Sequence, residues 1–178
     1  MASAASIQWI VSDVDGVWTD GSITYLGEHR EIKAFNVRDG LAVKLAQRAG
    51  ISVALVTSRR SPALERRARE LGIFELHQGA ANKLDEVQRL INRLGVELGQ
   101  ILYAGDDLPD LALMMTAGIS AAPCDAAPEV RAVAKWKLDA RGGAGAFREI
   151  VERLLRERGE WDRIVQEFAS GRPEASSI

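Results

Sequence analysis

The chain has 178 residues, 47% of them hydrophobic and 27% charged, with 23 Lys and Arg against 25 Asp and Glu and a formal net charge of −2. That length buries a real core in one domain and is short for two, and the charge balance excludes the basic surface of a general nucleic-acid binder. With no apolar run near the ~20 residues of a membrane span, no signal-peptide pattern over 1–8 and one cysteine, Cys124, the composition fits a cytoplasmic α/β enzyme without disulfides or a multi-cysteine zinc site.

Residues 7–12 read as a short buried strand that ends at Asp13. The next segment breaks the rhythm. Residues 21–35 form two short strand patterns around a Gly-Glu-His turn, which predicts a β-hairpin inserted at about 21–36. Its unpaired edges must be shielded or meet another chain. A helix is expected over 39–49, then a β-branched strand over 51–57 behind the stop signal Gly50. Pro62 behind Ser61 marks the start of a helix over 62–71. A weaker strand near 74–76 and a helix over 83–94 follow, then a strand at 101–105, a helix at 108–117 and a strand at 118–122. A weak strand near 136–138 precedes a helical stretch over 146–168, with a break at Gly159. Residues 1–170 thus read as a single domain, and 171–178 as a polar, flexible C-terminal tail. Alternating strands and helices predict a Rossmann-like three-layer α/β sandwich with a central parallel sheet.

Ligands of such sheets bind at the carboxyl ends of the strands, and four strand ends here carry polar groups. They are Asp13-Val14-Asp15-Gly16-Val17, then Thr57-Ser58-Arg59-Arg60, then Asn82-Lys83 beyond Gly79, and Gly105-Asp106-Asp107-Leu108-Pro109-Asp110. Clustered carboxylates repel one another unless a cation neutralises them, and all-oxygen ligation suits Mg²⁺. A hydroxyl, an ammonium and backbone N–H groups beside that cation grip a phosphate. The constellation describes phosphoryl transfer to a carboxylate.

These four segments, in this order and over nearly the whole chain, resemble the motifs of the haloacid dehalogenase superfamily. Thr19-Asp20-Gly21, the hairpin, Phe35-Asn36-Val37-Arg38-Asp39-Gly40, Gln78-Gly79 and Gly142-Gly143-Ala144-Gly145-Ala146 with Arg148-Glu149 are closely similar to its 3-deoxy-D-manno-octulosonate 8-phosphate phosphatase family, a capless type. The resemblance implies that Asp13 attacks phosphorus and that Asp15 protonates the leaving hydroxyl and then activates water. It implies Mg²⁺ held by Asp13, the Asp15 carbonyl and Asp106, with Asp107 or Asp110 supporting, and phosphate gripped by Thr57 and Lys83. Arg59, Arg38, Asp39 and Gly16 are the implied substrate-binding residues. The family commonly has glycine where this chain has Ser58, which adds a small side chain near the phosphate loop. A homotetramer built through the hairpins is implied as well, with the neighbour's hairpin and tail helping to close each site, and so is a cytoplasmic step toward lipopolysaccharide.

Other readings are weighed against this one. The same chemistry could act on a nine-carbon sugar acid 9-phosphate, although relatives of that kind tend not to keep an arginine at the Arg59 position. A receiver-type phospho-switch uses similar strand ends without needing Asp15, and an idle scaffold would keep the fold alone. Asp39 could merely cap a helix, and Asp107 and Asp110 could merely suit a helix dipole. His29 reads as a turn residue and His77 as a strand or edge residue. Cys124 reads as packing, Arg66, Arg67 and Arg69 as a solvated helix face, and the 161–168 stripe as packing or subunit contact.

Overall fold

Short continuous apolar runs and 3.6-period stripes alternate along the chain, and they become the doubly covered strands and the helices that such patterns require. The computed structural model describes residues 3–27 and 31–171. It runs β1 (Trp9–Ser12), β2 (Thr24–Tyr25), β3 (Glu31–Ile32), α1 (Val37–Arg48), β4 (Ser52–Thr57), α2 (Pro62–Leu71), β5 (Glu75–Gln78) and α3 (Lys83–Leu94). It continues with β6 (Ile101–Ala104), α4 (Leu111–Thr116), β7 (Ile119–Ala122), α5 (Pro128–Val133), β8 (Trp136–Lys137), α6 (Ala146–Glu157) and α7 (Trp161–Ala169). The sheet is six-stranded in the order β5-β4-β1-β6-β7-β8, and every pairing within it is parallel. β2 and β3 form a separate antiparallel pair, the inserted hairpin, with Thr24 opposite Ile32.

Alternation divides the core into two layers. Ile10, Val53, Leu55, Leu102 and Ala104 face the helices α1, α2, α6 and α7. Val11, Ala54, Val56, Ile101 and Tyr103 face α3, α4 and α5. Helices on both faces and a parallel sheet between them are the predicted three-layer sandwich. Strand order reverses at β1: the chain first builds outward through β4 and β5, then returns to β6 on the other side. The crevice at the carboxyl end of β1 is therefore the topological switch point, where such sheets bind ligands.

Two boundaries shift for local reasons. α1 starts at Val37 rather than 39, because the Asn36 side chain accepts the Arg38 N–H and caps the helix there. The expected helix over 108–117 divides into a 3-10 turn at Leu108–Asp110 and the short α4. Asp107 accepts the Leu108 N–H there, and Asp110 turns its carboxylate back onto the turn. α5, behind Pro128, has no counterpart in the sequence reading. The 161–168 stripe proves to be packing at its inner face, with Trp161 and Ile164 buried. Arg67 departs from the solvated-face reading. Its guanidinium lies against Gly40, where an added Cβ would stand 2.2 Å from Nη2. His29 and residues 172–178 lie outside the described residues.

Candidate active site

Four loops deliver their side chains to the carboxyl end of β1. Asp13 directly follows the strand, and its N–H continues the ladder to the Ala104 carbonyl at 2.8 Å. Lys83 is the first residue of α3, placed there by Asn82, whose Oδ1 accepts the N–H groups of Leu84 and Asp85 at 3.0 and 3.3 Å. Its Nζ lies 2.9 Å from Asp13 Oδ1 and 2.8 Å from Asp110 Oδ1. One oxygen each of Asp13, Asp106 and Asp110 fall within 4.8 Å of one another. Thr57, the last residue of β4, is buried, and its Oγ1 accepts the Arg59 N–H at 3.2 Å.

Both Asp110 oxygens already accept hydrogen bonds. Lys83 and the Tyr103 hydroxyl, at 2.5 Å, donate to Oδ1, while the N–H groups of Asp106 and Asp107 donate to Oδ2 at 3.1 and 3.3 Å. It organises the loop that presents Asp106. Asp107 is exposed and committed to capping the turn.

The electrostatics follow from packing three acids around one lysine. Burial, together with repulsion from Asp110, raises the Asp13 pKa to about 6 against the pull of Lys83. Burial and the charges of Asp13 and Asp110 raise Asp106 to about 8. Burial also opposes the Lys83 charge, but Asp13 and Asp110 outweigh it and hold its pKa above the ordinary lysine value. The cluster thus lacks positive charge, and its donors are all oxygen, which fits a hard divalent cation.

Gly16 fits only as glycine. Its φ is +89°, and an added Cβ would stand 2.0 Å from Asp106 Oδ2. The β1 loop therefore packs directly onto the Asp106 carboxylate.

Asp15 sits one layer further out, ion-paired with Lys33 beyond β3, and its Oδ2 lies 4.0 Å from Arg59 Nε. That Oδ2 is buried without a hydrogen-bond partner. Arg59 Nη2 donates to Glu31 at 2.7 Å, and this bond holds the Glu31 carboxyl below its ordinary range. Glu31, Lys33 and Tyr103 are absent from the residues singled out in the sequence. The signal for the first two was available: Glu31 and Lys33 stand two apart in the strand pattern expected for the hairpin, which puts both on one face, and in the structure they pair with each other, Lys33 reaching Asp15 as well.

Two further expected substrate residues stand in the first turn of α1. Arg38 is exposed on the first turn of α1. Asp39 is buried at 1% exposure, with Oδ1 accepting the Arg148 N–H at 2.7 Å.

Residues 69–146, which include Lys83 and Asp106, match the haloacid dehalogenase-like hydrolase family. The chain is 40% identical over 163 residues to the 3-deoxy-D-manno-octulosonate 8-phosphate phosphatase of Escherichia coli (strain B / BL21-DE3), covering 91% of this chain and 86% of that one. It is similar to the crystal structure of the Moraxella catarrhalis phosphatase of the same name, in complex with magnesium, phosphate and KDO. That match has a TM-score of 0.90 and 39% identity, over 93% of this chain and 95% of the other. The cobalt-bound Haemophilus influenzae deoxy-D-mannose-octulosonate 8-phosphate phosphatase matches with a TM-score of 0.89 and 37% identity, over 93% and 98% of the two chains.

Proposed function

The chain belongs to the 3-deoxy-D-manno-octulosonate 8-phosphate phosphatase family of haloacid dehalogenase-like hydrolases and is a phosphomonoester hydrolase; from that premise we propose that it releases phosphate from the eight-carbon sugar acid phosphate through an aspartyl-phosphate on Asp13. The observation that carries this reading is the junction of Asp13, Asp106 and Lys83 at the strand-order switch. Asp13 Oδ attacks phosphorus as the bond to the sugar oxygen breaks. Asp15 gives that oxygen its proton, then takes one from the water that attacks the phosphoaspartate, so that phosphate leaves and both acids are restored. Lys83 and Thr57 hold the transferring oxygens and meet the charge that develops on them. Asp13, the Asp15 carbonyl and Asp106 would hold a divalent cation such as Mg²⁺, which would supply electrophilic polarisation of the phosphoryl group when bound. Arg59, with Arg38 and Gly16, is assigned to the substrate side of the site.

The rest of the reading follows from this activity. Residues 1–170 act as one catalytic domain, the product feeds lipopolysaccharide synthesis, and the enzyme works in the cytoplasm. Among the described residues no helix is long and apolar enough to cross a membrane. Phosphate release from a panel of sugar phosphates, with Mg²⁺ and with chelator, tests the activity. We expect metal-dependent preference for the eight-carbon acid. Preference for a nine-carbon acid would move the substrate and keep the chemistry, and silence across the panel would overturn the assignment.

The homotetramer is proposed on the hairpin. Ile23, Tyr25, Leu26 and Ile32 are between 47% and 71% exposed on an isolated two-stranded pair, an arrangement only marginally stable by itself in water. Sedimentation velocity is expected to give a tetramer, and Tyr25→Glu with Ile32→Glu a smaller species. A wild-type monomer at micromolar concentration would end the proposal.

A further inference from the structure

We propose that Asp39 is a positioning residue for the reaction: by capping α6 from another helix, it clamps the turn at 142–145 against the loop at 16–20 and so holds Asp13 and Asp106 in register. This rests on Asp13 and Asp106 being the reacting end of the site, as read above. α6 needs an external cap, because its own N-cap position is Gly145, at φ +105°, with no side chain to offer. Asp39 supplies one across the core, from the first turn of α1 to the backbone N–H of Arg148, the third residue of α6. The carboxylate is 1% exposed, and its other oxygen, Oδ2, has no hydrogen-bond partner. Burial accordingly raises its pKa to about 6 against the Arg148 N–H and the guanidinium groups of Arg148 and Arg67. An anion kept in such a place serves the helix N-terminus it faces.

From that cap to the reacting carboxylates the packing has no slack. The Asn36 side chain, next to Asp39 at the head of α1, donates to the Gly143 carbonyl at 3.4 Å, and the Gly143 N–H donates to Val17 O at 3.0 Å. The Gly142 N–H donates to Asp125 Oδ1 at 2.9 Å. A Cβ on Gly142 would stand 2.0 Å from the Gly16 carbonyl oxygen, and one on Gly143 2.7 Å from Asp20 N. Gly16 in turn lies against Asp106 Oδ2. Trp18, from the same loop, stacks on Phe147 of α6 with ring centroids 4.3 Å apart. A shift at the start of α6 is therefore passed to Gly16, and from Gly16 to Asp106 and Asp13. Misplacement by about 1 Å can cost on the order of 10²-fold in rate.

The test uses the full chain and p-nitrophenyl phosphate, a phosphomonoester whose hydrolysis does not depend on which sugar acid is the substrate. Asp39→Ala is expected to lower kcat by about 10-fold or more with KM nearly unchanged, at a temperature well below its Tm. Asp39→Asn keeps the acceptor oxygen and is expected to restore kcat to within about 3-fold of wild type. Gln47→Ala is the control for stability alone. It removes bonds to the Leu71 and Gly72 carbonyls, near the opposite edge of the sheet. It is expected to lower Tm without lowering kcat. Amide exchange at Gly143 should accelerate in Asp39→Ala and not in Gln47→Ala. A wild-type kcat in Asp39→Ala, or a rise in KM with kcat intact, overturns the proposal, and so does unchanged exchange at Gly143. Should Asp39→Ala fail to fold, Asp39→Ser, too short to reach the Arg148 N–H, is measured by the same criteria.

Discussion

Asp13→Asn is expected to reduce phosphate release by about 10³-fold or more while leaving the fold intact. An amide has nearly the shape of the carboxylate, and its oxygen still accepts from Lys83, 2.9 Å from Asp13 Oδ1 in the wild type. It cannot form an acyl phosphate under these conditions, so the first step is lost and not merely slowed. Stability should move in the opposite direction. Asp13 is an acid whose ionisation is already disfavoured, with its pKa raised to about 6 by burial and by Asp110. At pH 7 the neutral amide removes one negative charge from a cluster that holds Asp106 and Asp110 close by. Without added metal, Asp13→Asn should therefore melt at or above the wild-type temperature, and Mg²⁺ should stabilise it less. Phosphate release and a thermal melt, each with and without Mg²⁺, check both halves. Turnover above about 1% of wild type would remove Asp13 as nucleophile, and a large loss of Tm would show that its charge holds the fold together.

The parts of the molecule set by local sequence were legible. β4 and α3 appear where β-branched and amphipathic periods place them, and Asp13, Lys83 and Asp106 meet because three strand ends share one edge. The parts set by contacts between distant segments were not. Asp110 reads from sequence as one of two acids that either support the metal or merely suit a helix dipole, and nothing local shows that it is buried and holds Lys83, Tyr103 and two backbone N–H groups. Tyr103 looks like a core residue of β6, because nothing local shows that its hydroxyl meets a carboxylate. Asp39 reads from sequence as substrate-binding or as a cap for its own helix; Asn36 already caps α1, which frees Asp39 for α6. Lys33 and Glu31 reach Asp15 and Arg59 only because the hairpin folds back over the end of β1. Each of these depends on a partner more than six residues away in sequence, beyond what a periodic pattern records.

The same acid cluster makes stability depend on pH and on metal together, and this dependence is the second large expected effect. Asp13 is raised to about 6 and Asp106 to about 8, so without metal the folded chain holds protons that the unfolded chain has released above pH 4 or 5. Stability then falls as pH rises, at about 1.4 kcal/mol per pH unit for each proton held only by the folded state. Between pH 5 and 8 the loss from Asp13 and Asp106 should be on the order of 5 kcal/mol, or roughly 15 °C in Tm for a chain of this length. Glu31 and Glu75, whose pKa values are lowered, gain their stabilisation below this window and do not cancel the slope. A divalent cation replaces the protons as the neutralising charge and competes with them for the same oxygens. The stabilisation by millimolar Mg²⁺ should therefore be small at pH 5 and largest near pH 8, which flattens the profile. Asp39, raised to about 6 by burial at the head of α6, should leave a residual slope below about pH 6 that Mg²⁺ does not remove and Asp39→Asn does. A series of melts across this range with chelator and with Mg²⁺ decides the matter. A metal shift of the same size at pH 5 and pH 8 would show that the cation binds away from Asp13 and Asp106. A flat profile in chelator would show that their charges are already balanced by groups other than Lys83.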